Sequence, residues 1–414
     1  MAENQGKKPP LKERWVRQLG NWLSECDWRT LVPYLLLQIT GILLVFSASS
    51  YRALTEQLAV WSYGLKQALF TLAAFAIILF VYRLNINFLQ RRAVRWFIIA
   101  AVTAPLIYVL FFGAEINGAR GWIVIGSFTL QPIEFAKPAL VVLLAGTLSQ
   151  MEAQLPAQGL WPGILAHKGT FLVLASWLVL AFFLPDIGGM ALLIGIALLM
   201  LLASGIPNKI AYWLSGLGLL GYGALVLLVK VLNHFNISPS HYQSERLLTF
   251  VDPFRVAQGA GLQQVTSYYA LYSGGWFGRG LGNSILKKGY LPEPHNDFIM
   301  AVVGEELGYV GLLLILGIYI YLIGHLLMRG LNMQKTYHQL LLYGTASYFL
   351  VQMVVNLGGI TGLLPITGVT FPMISYGGSS VFTTAIFIGL CLSTIRHDNK
   401  LRLVQEHTVS QDNH

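Results

Sequence analysis

The sequence predicts an all-α polytopic membrane protein: ten transmembrane helices, both termini cytoplasmic, and one large outer loop between helices 7 and 8. Three observations predict it. Of 414 residues, 55% are hydrophobic and only 11% charged, against about 25% charged in a soluble domain. The apolar residues fall in ten runs of roughly bilayer length. Lys and Arg concentrate on alternate connections between those runs. This composition excludes a soluble enzyme, a disordered chain and a nucleic-acid binder working through a basic surface.

The runs lie near 31–49, 64–83, 94–113, 132–149, 169–185, 188–205, 210–233, 298–328, 340–362 and 371–395. They are apolar on all sides, unlike amphipathic surface helices, and too long and unalternating for barrel strands. Residues 1–30 form a polar tail, 31–395 the membrane domain and 396–414 a second tail. On one side lie Lys7, Lys8, Lys12, Arg14, Arg17 and Arg29, then Arg83, Arg91, Arg92 and Arg95, then Lys168, Lys209, Arg329 and Lys335, and finally Arg396, Lys400 and Arg402. Short connections on the other side hold Arg52 and Arg120. The basic side is cytoplasmic, and an odd number of spans would spoil the asymmetry.

Trp15, Leu19, Trp22, Leu23 and Cys26 recur at helical spacing beside Lys12, Arg14 and Arg17. That pattern fits a short helix lying on anionic membrane lipids. No order of charged, apolar and small residues marks a cleavable leader in the first 30 residues. Two cysteines are too few for a disulfide framework. No Walker, Rossmann or kinase glycine motif occurs, and no repeat divides the spans as inverted-repeat transporters do.

Polar groups in or beside the spans carry the candidate chemistry. Gln131-Pro132-Ile133-Glu134-Phe135-Ala136-Lys137-Pro138 puts Glu134 and Lys137 on one helix face. They are either a self-neutralising ion pair or a cation aimed at an anionic substrate and oriented by Glu134. Asp186, in Pro185-Asp186-Ile187-Gly188-Gly189, reads first as a turn former and second as a substrate contact. Residues 234–297 form a long outer loop, too long to be structureless without a role. Tyr268–Leu271 and Trp276–Phe277 within it suit a membrane surface. The loop carries Arg246, Arg255, Arg279, Lys287 and Lys288, which suit a phosphate-bearing substrate. It ends in Leu291-Pro292-Glu293-Pro294-His295-Asn296-Asp297-Phe298-Ile299. Asp297 stands where a helix N-cap would, with Glu293 and His295 nearby. Glu305 and Glu306 follow inside the eighth span and need basic partners from elsewhere. The last outer connection, Gly362 to Ser380, has no charge and many Gly and Pro residues. Such backbone is tolerated only when buried in protein or lining a wet cavity, and its small residues also permit close packing.

At these residues the chain resembles the SEDS family (shape, elongation, division and sporulation), integral membrane peptidoglycan glycosyltransferases. The motifs are Asn117-Gly118-Ala119-Arg120-Gly121-Trp122, Gln131-Pro132 with Glu134 and Lys137, Pro185-Asp186 with Gly188, Leu291–Ile299, Gly304-Glu305-Glu306-Leu307-Gly308 and Pro372 to Ser380. Gly280-Leu281-Gly282-Asn283-Ser284 followed by Tyr290-Leu291-Pro292-Glu293 is similar to the division branch more than the elongation branch. Asn296 stands where Thr is frequent in the family, a polar-for-polar departure.

The resemblance implies polymerisation of lipid II on the outer face of the cytoplasmic membrane, at the division septum. Asp297 is then the general base on the acceptor sugar's 4-hydroxyl, and polyprenyl pyrophosphate leaves. A carboxylate at a low-dielectric boundary suits a base. The leaving charge needs cations, from Lys137 held by Glu134, from Arg120 or Arg246, or from a divalent cation such as magnesium or manganese. No metal ligands can be named from the sequence. Asp186, Glu293, His295, Ser375 and Ser379 complete the candidate substrate contacts. The expected partners are a class B penicillin-binding protein, which is the septal transpeptidase, other divisome proteins and membrane lipid, with no nucleic acid. Rival readings are a lipid II flippase, an elongation role and a non-catalytic divisome scaffold. A flippase would place its carboxylate at the midplane rather than at the outer boundary.

Overall fold

A computed structural model describes residues 25–116, 119–126, 128–158, 160–206, 208–234, 249–257, 259 and 261–412. The expected interfacial helix of the N-terminal tail lies outside them, as does Arg246.

A helix coincides with each of the ten apolar runs. They are α1 (Trp28–Thr55), α2 (Ser62–Arg83), α3 (Arg92–Phe112), α4 (Pro132–Gln158), α6 (Lys168–Phe183), α7 (Ile187–Leu202), α8 (Asn208–His234), α10 (Ile299–Leu331), α11 (Thr336–Thr361) and α12 (Gly378–Asp412). Two shorter α-helices are α5 (Leu160–Ala166) and α9 (Leu262–Gly274). Among the described residues, seven helices are both long and apolar enough to cross a membrane. The two 16-residue helices α6 and α7 are shorter, about 24 Å at 1.5 Å per residue. The chain is a multi-pass helical membrane protein.

The all-α class stands, with details that the sequence did not show: β1 (Ala114–Ile116), β2 (Ala119–Ile125) and β3 (Phe128–Leu130) form a small antiparallel sheet after α3. The tenth run does not begin as helix, since α12 starts only at Gly378 and 371–377 is irregular. Nor does the helix stop at the predicted tail; it continues to Asp412. The outer loop also holds structure of its own. α9 packs on α10 and α11 with Gln264, Val265, Ser267 and Ala270 buried, while Trp276 and Phe277 are exposed.

Burial decides where polar residues can sit. The spanning windows of α4 and α12 are 89% buried, that of α3 only 17%. Glu134 and Lys137 therefore enter the membrane domain inside the bundle rather than against lipid. α4 packs against α7, α11, α3 and α12, and α12 lies along α2. The irregular segment 363–377 lies at one end of this core. At Gly41 of α1 a Cβ would stand 2.3 Å from the Met373 carbonyl oxygen, so only glycine allows that approach.

α10 is broken at Gly308, where φ is 70° and ψ is −171°. The break frees backbone groups that lipid could not satisfy, and the end of the outer loop satisfies them. The amides of Arg279 and Gly280 donate to the carbonyls of Glu305 and Glu306, each at 2.9 Å. Those of Tyr309 and Val310 donate back to Gly275 and Trp276 at 3.0 and 3.1 Å.

Candidate active site

Four segments meet at one end of the core: the start of α4, the turn before α7, the loop 291–298 and the strap 363–380.

Pro132 opens α4, where its missing N–H costs nothing. One turn on, Lys137 donates to Glu134 Oε1 at 2.5 Å and, more weakly, to Gln352 Oε1 at 3.4 Å. Its ammonium also lies 5.6 Å from the centre of the Tyr348 ring. Lys137 has no solvent exposure. The pair has the geometry of a self-neutralising buried ion pair, with its second carboxylate oxygen, Glu134 Oε2, unbonded.

Gln131 ties the start of α4 to two other segments. Its backbone amide donates to Ser379 Oγ at 2.9 Å, and its side chain donates to Asp186 Oδ2 at 3.0 Å. Asp186 caps α7, accepting from the Gly189 amide at 2.7 Å, as its turn chemistry predicted. Burial pushes its carboxyl above the ordinary range, against the opposing pulls of that amide and of Lys137.

α11 supplies the link to the loop. Gln352 donates to the Thr370 carbonyl at 3.0 Å. One turn later, Asn356 donates to the carbonyls of Asp297 at 2.8 Å and Val369 at 2.7 Å. A continuous polar line thus runs from Lys137 through Gln352 and Asn356 to the backbone of Asp297. Asp297 is half-buried and immediately precedes Phe298, which holds the N-terminal cap position of α10.

The rest of the loop is fixed from α1, α2 and the strap. Glu293 accepts from Arg52 Nη1 at 2.7 Å and from the Asn296 side chain. Arg52 Nε also bonds Glu56 at 2.8 Å, and Tyr63 donates to Glu56 at 2.6 Å. The Tyr63 hydroxyl, then Arg52, hold Glu56 below the usual carboxylate range. His295 is buried with ring centroids 4.9 Å from Tyr63 and 5.5 Å from Tyr376. Its carbonyl accepts the Tyr376 amide at 2.9 Å. Burial pushes its imidazole down to about 4. In the strap, Ser375 Oγ accepts the Phe371 amide at 2.8 Å, so it is engaged in holding the turn.

The described residues hold no group of three or more His, Cys, Asp or Glu able to ligate a metal. They offer no preformed cage for a divalent cation.

With this geometry in place, the comparisons with known proteins decide the family. A family profile described as "Cell cycle protein", covering FtsW, RodA and the stage V sporulation protein E, matches residues 28–400. The chain belongs to this family. It is 36% identical over 405 residues to the Lactococcus lactis protein named "Probable peptidoglycan glycosyltransferase FtsW", covering 92% of this chain and 94% of the relative. It is 32% identical over 375 residues to the stage V sporulation protein E of Bacillus subtilis, covering 90% and 97%. Among solved structures, a chain from work on polymerization and crosslinking by a peptidoglycan synthase complex superposes with a TM-score of 0.70 at 28% identity, covering 90% of this chain and 98% of that one. The Thermus thermophilus rod shape determining protein RodA gives 0.64 at 26% identity, covering 91% and 99%.

Set against this family fold, the predicted site residues divide. Glu134, Lys137, Asp186, Ser379, Ser375, Glu293, His295 and Asp297 belong to one connected wall. Arg120 stands apart on β2, in an exposed ion pair with Glu115 at 3.1 Å. Lys287 and Arg279, read as phosphate-seeking bases of the loop, are turned to Glu306 and Glu305 instead. Arg52, Gln352 and Asn356 were missed. Gln352 and Asn356 were legible as two amides four residues apart in an apolar span. Arg52 carried no such signal.

Proposed function

We propose that this family member, a peptidoglycan glycosyltransferase, polymerises lipid II on the outer face of the cytoplasmic membrane. Asp297 acts as general base. It takes the proton of the acceptor sugar's 4-hydroxyl while that oxygen attacks the anomeric carbon of the donor. The bond from that carbon to the pyrophosphate breaks, and polyprenyl pyrophosphate leaves. The single observation that carries this reading is the placement of Asp297: half-buried at the junction of the loop and α10, with its backbone fixed by Asn356. A carboxylate held there combines a partly dry surround, which favours proton uptake, with access to a substrate.

Lys137 then acts through its field rather than by contact, since it is fully buried against Glu134. Asp186, Ser379, His295, Ser375 and Glu293 shape the wall that the sugars face. Arg120, exposed on the sheet in its pair with Glu115, and Arg246 are the cations proposed to meet the pyrophosphate. Ten crossings with both termini cytoplasmic put this wall on the outside. The FtsW relatives support a role at the division septum, and the synthase-complex neighbour supports a class B penicillin-binding protein as the crosslinking partner.

The test is polymerisation of purified lipid II by the full chain with its transpeptidase, with moenomycin present. Glycan from the wild type and none from Asp297→Asn, with equal folding, is the expected result. Equal glycan from both would remove Asp297 as the base, and none from either would favour the flippase or scaffold reading.

A further inference from the structure

Arg52 sits in the last turn of α1, far in sequence from the loop it touches. A cation there normally serves the helix C-terminus. Its guanidinium instead spans two carboxylates, Nε to Glu56 at 2.8 Å and Nη1 to Glu293 at 2.7 Å. Its charge is already matched, so it is poorly placed to bind a substrate anion.

Glu293 makes the second half of the case. It lies between Pro292 and Pro294 and adopts φ 51°, a conformation that side-chain-bearing residues avoid. A residue before proline is also biased towards extended backbone. Such strain persists only when surrounding contacts over-determine it. The contacts on its carboxylate are Arg52 and the Asn296 side chain. Four residues later the chain reaches Asp297.

The loop is also fastened through its backbone: the Leu291 amide donates to the Leu286 carbonyl at 2.8 Å, the Tyr376 amide to the His295 carbonyl at 2.9 Å, and the Asn356 side chain to the Asp297 carbonyl at 2.8 Å. To these the Arg52–Glu293 bridge adds an ionic fastening.

We propose that Arg52 is a positioning residue for Asp297. Through Glu293 it holds the Pro292–Asn296 turn in its left-handed form and so aims the Asp297 carboxylate; Glu56 and Tyr63 orient the guanidinium from the far side. The proposal rests on the reading of Asp297 as base.

The test is a charge swap in the full chain with its transpeptidase, using purified lipid II. Arg52→Glu and Glu293→Arg should each lower kcat about 10- to 100-fold, as small misplacements of a reacting group do, with KM within about twofold. The double swap should recover most of the loss. Arg52→Lys, which keeps the charge but cannot fork across both carboxylates, should fall between. Amide hydrogen exchange over 291–298 should quicken in the single variants and slow again in the swap. That readout separates the two ideas, because it holds whether or not Asp297 proves to be the base. A raised KM with unchanged kcat would make Arg52 a substrate contact and overturn the proposal. So would exchange that Arg52→Glu leaves untouched, or a double variant that melts like the wild type yet recovers neither rate nor protection.

Discussion

The side-chain amide of Asn356 donates to the backbone carbonyl of Asp297 at 2.8 Å, and to that of Val369 at 2.7 Å. One amide on α11 thus pins the candidate base and the strap together. Asn356→Leu leaves two carbonyls to find other partners, at about 1–3 kcal/mol for each that stays buried and unpaired. The expected result is a lower melting temperature together with a drop in kcat. Asn356→Asp should lose rate as well, because an ionised carboxylate cannot donate. Steady-state polymerisation and thermal melting in detergent check both. Normal turnover in Asn356→Leu would show that the bond fastens the bundle without aiming Asp297.

Lys137 and Glu134 are buried partners at 2.5 Å. Removing one charge strands the other, which costs about 3–5 kcal/mol, whereas removing both can be nearly neutral. Lys137→Met should therefore fold poorly, and so should Glu134→Leu. The double variant should recover much of the melting temperature. If Lys137 contributes its field to the reaction, the double variant stays slow even when it is stable. Recovery of rate along with stability would reduce the pair to a structural device.

His295 sets a pH dependence whose sign follows from its environment. Burial lowers its folded pKa to about 4; the Glu293 and Glu56 charges oppose that shift and Arg52 adds to it. The unfolded chain takes a proton near pH 6.5. Below that value the unfolded state binds a proton that the folded state refuses, so stability declines until the pH approaches 4. The slope for this one group is up to about 1.4 kcal/mol per pH unit. Above pH 6.5 it contributes nothing to the slope. Melting curves from pH 7.5 to 5 should show the decline, and His295→Gln should flatten it. An unchanged slope in that variant would assign the acid sensitivity to other groups.

The bundle was legible because spans announce themselves by length and apolarity. Glu134 with Lys137 was legible because i and i+3 spacing leaves two charges in a span few other ways to insert. Asp186 was legible as a turn former, and caps α7 as such. What the sequence hid is the side-chain traffic between segments far apart in the chain. Arg52 reaches Glu293 across 241 positions, and no local pattern encodes that. The small sheet was hidden because Ala114–Leu130 joins two apolar runs without clear alternation.

Glu305 and Glu306 needed partners, and the loop provides two of very different weight. Glu306 and Lys287 are both almost wholly buried at 2.7 Å, and Ser47 of α1 bonds both. Glu305 meets Arg279 at 3.8 Å with the arginine partly exposed, and it also accepts from Ser284 Oγ and the Ile285 amide. Lys287→Met strands a buried carboxylate and should cost about 3–5 kcal/mol. Arg279→Ala removes a long, half-solvated pair that contributes about 0–1 kcal/mol, while the backbone amide of residue 279 still holds the Glu305 carbonyl. Melting of the two variants side by side should separate them clearly. Gly308→Ala should be the worst of the three, because at φ 70° its Cβ would lie 2.4 Å from the Gly278 nitrogen. That clash would force the loop off the broken helix and carry the whole 275–297 stretch, with Asp297 at its end, out of register. Equal melting for Lys287→Met and Arg279→Ala would mean that burial does not set the value of these bridges.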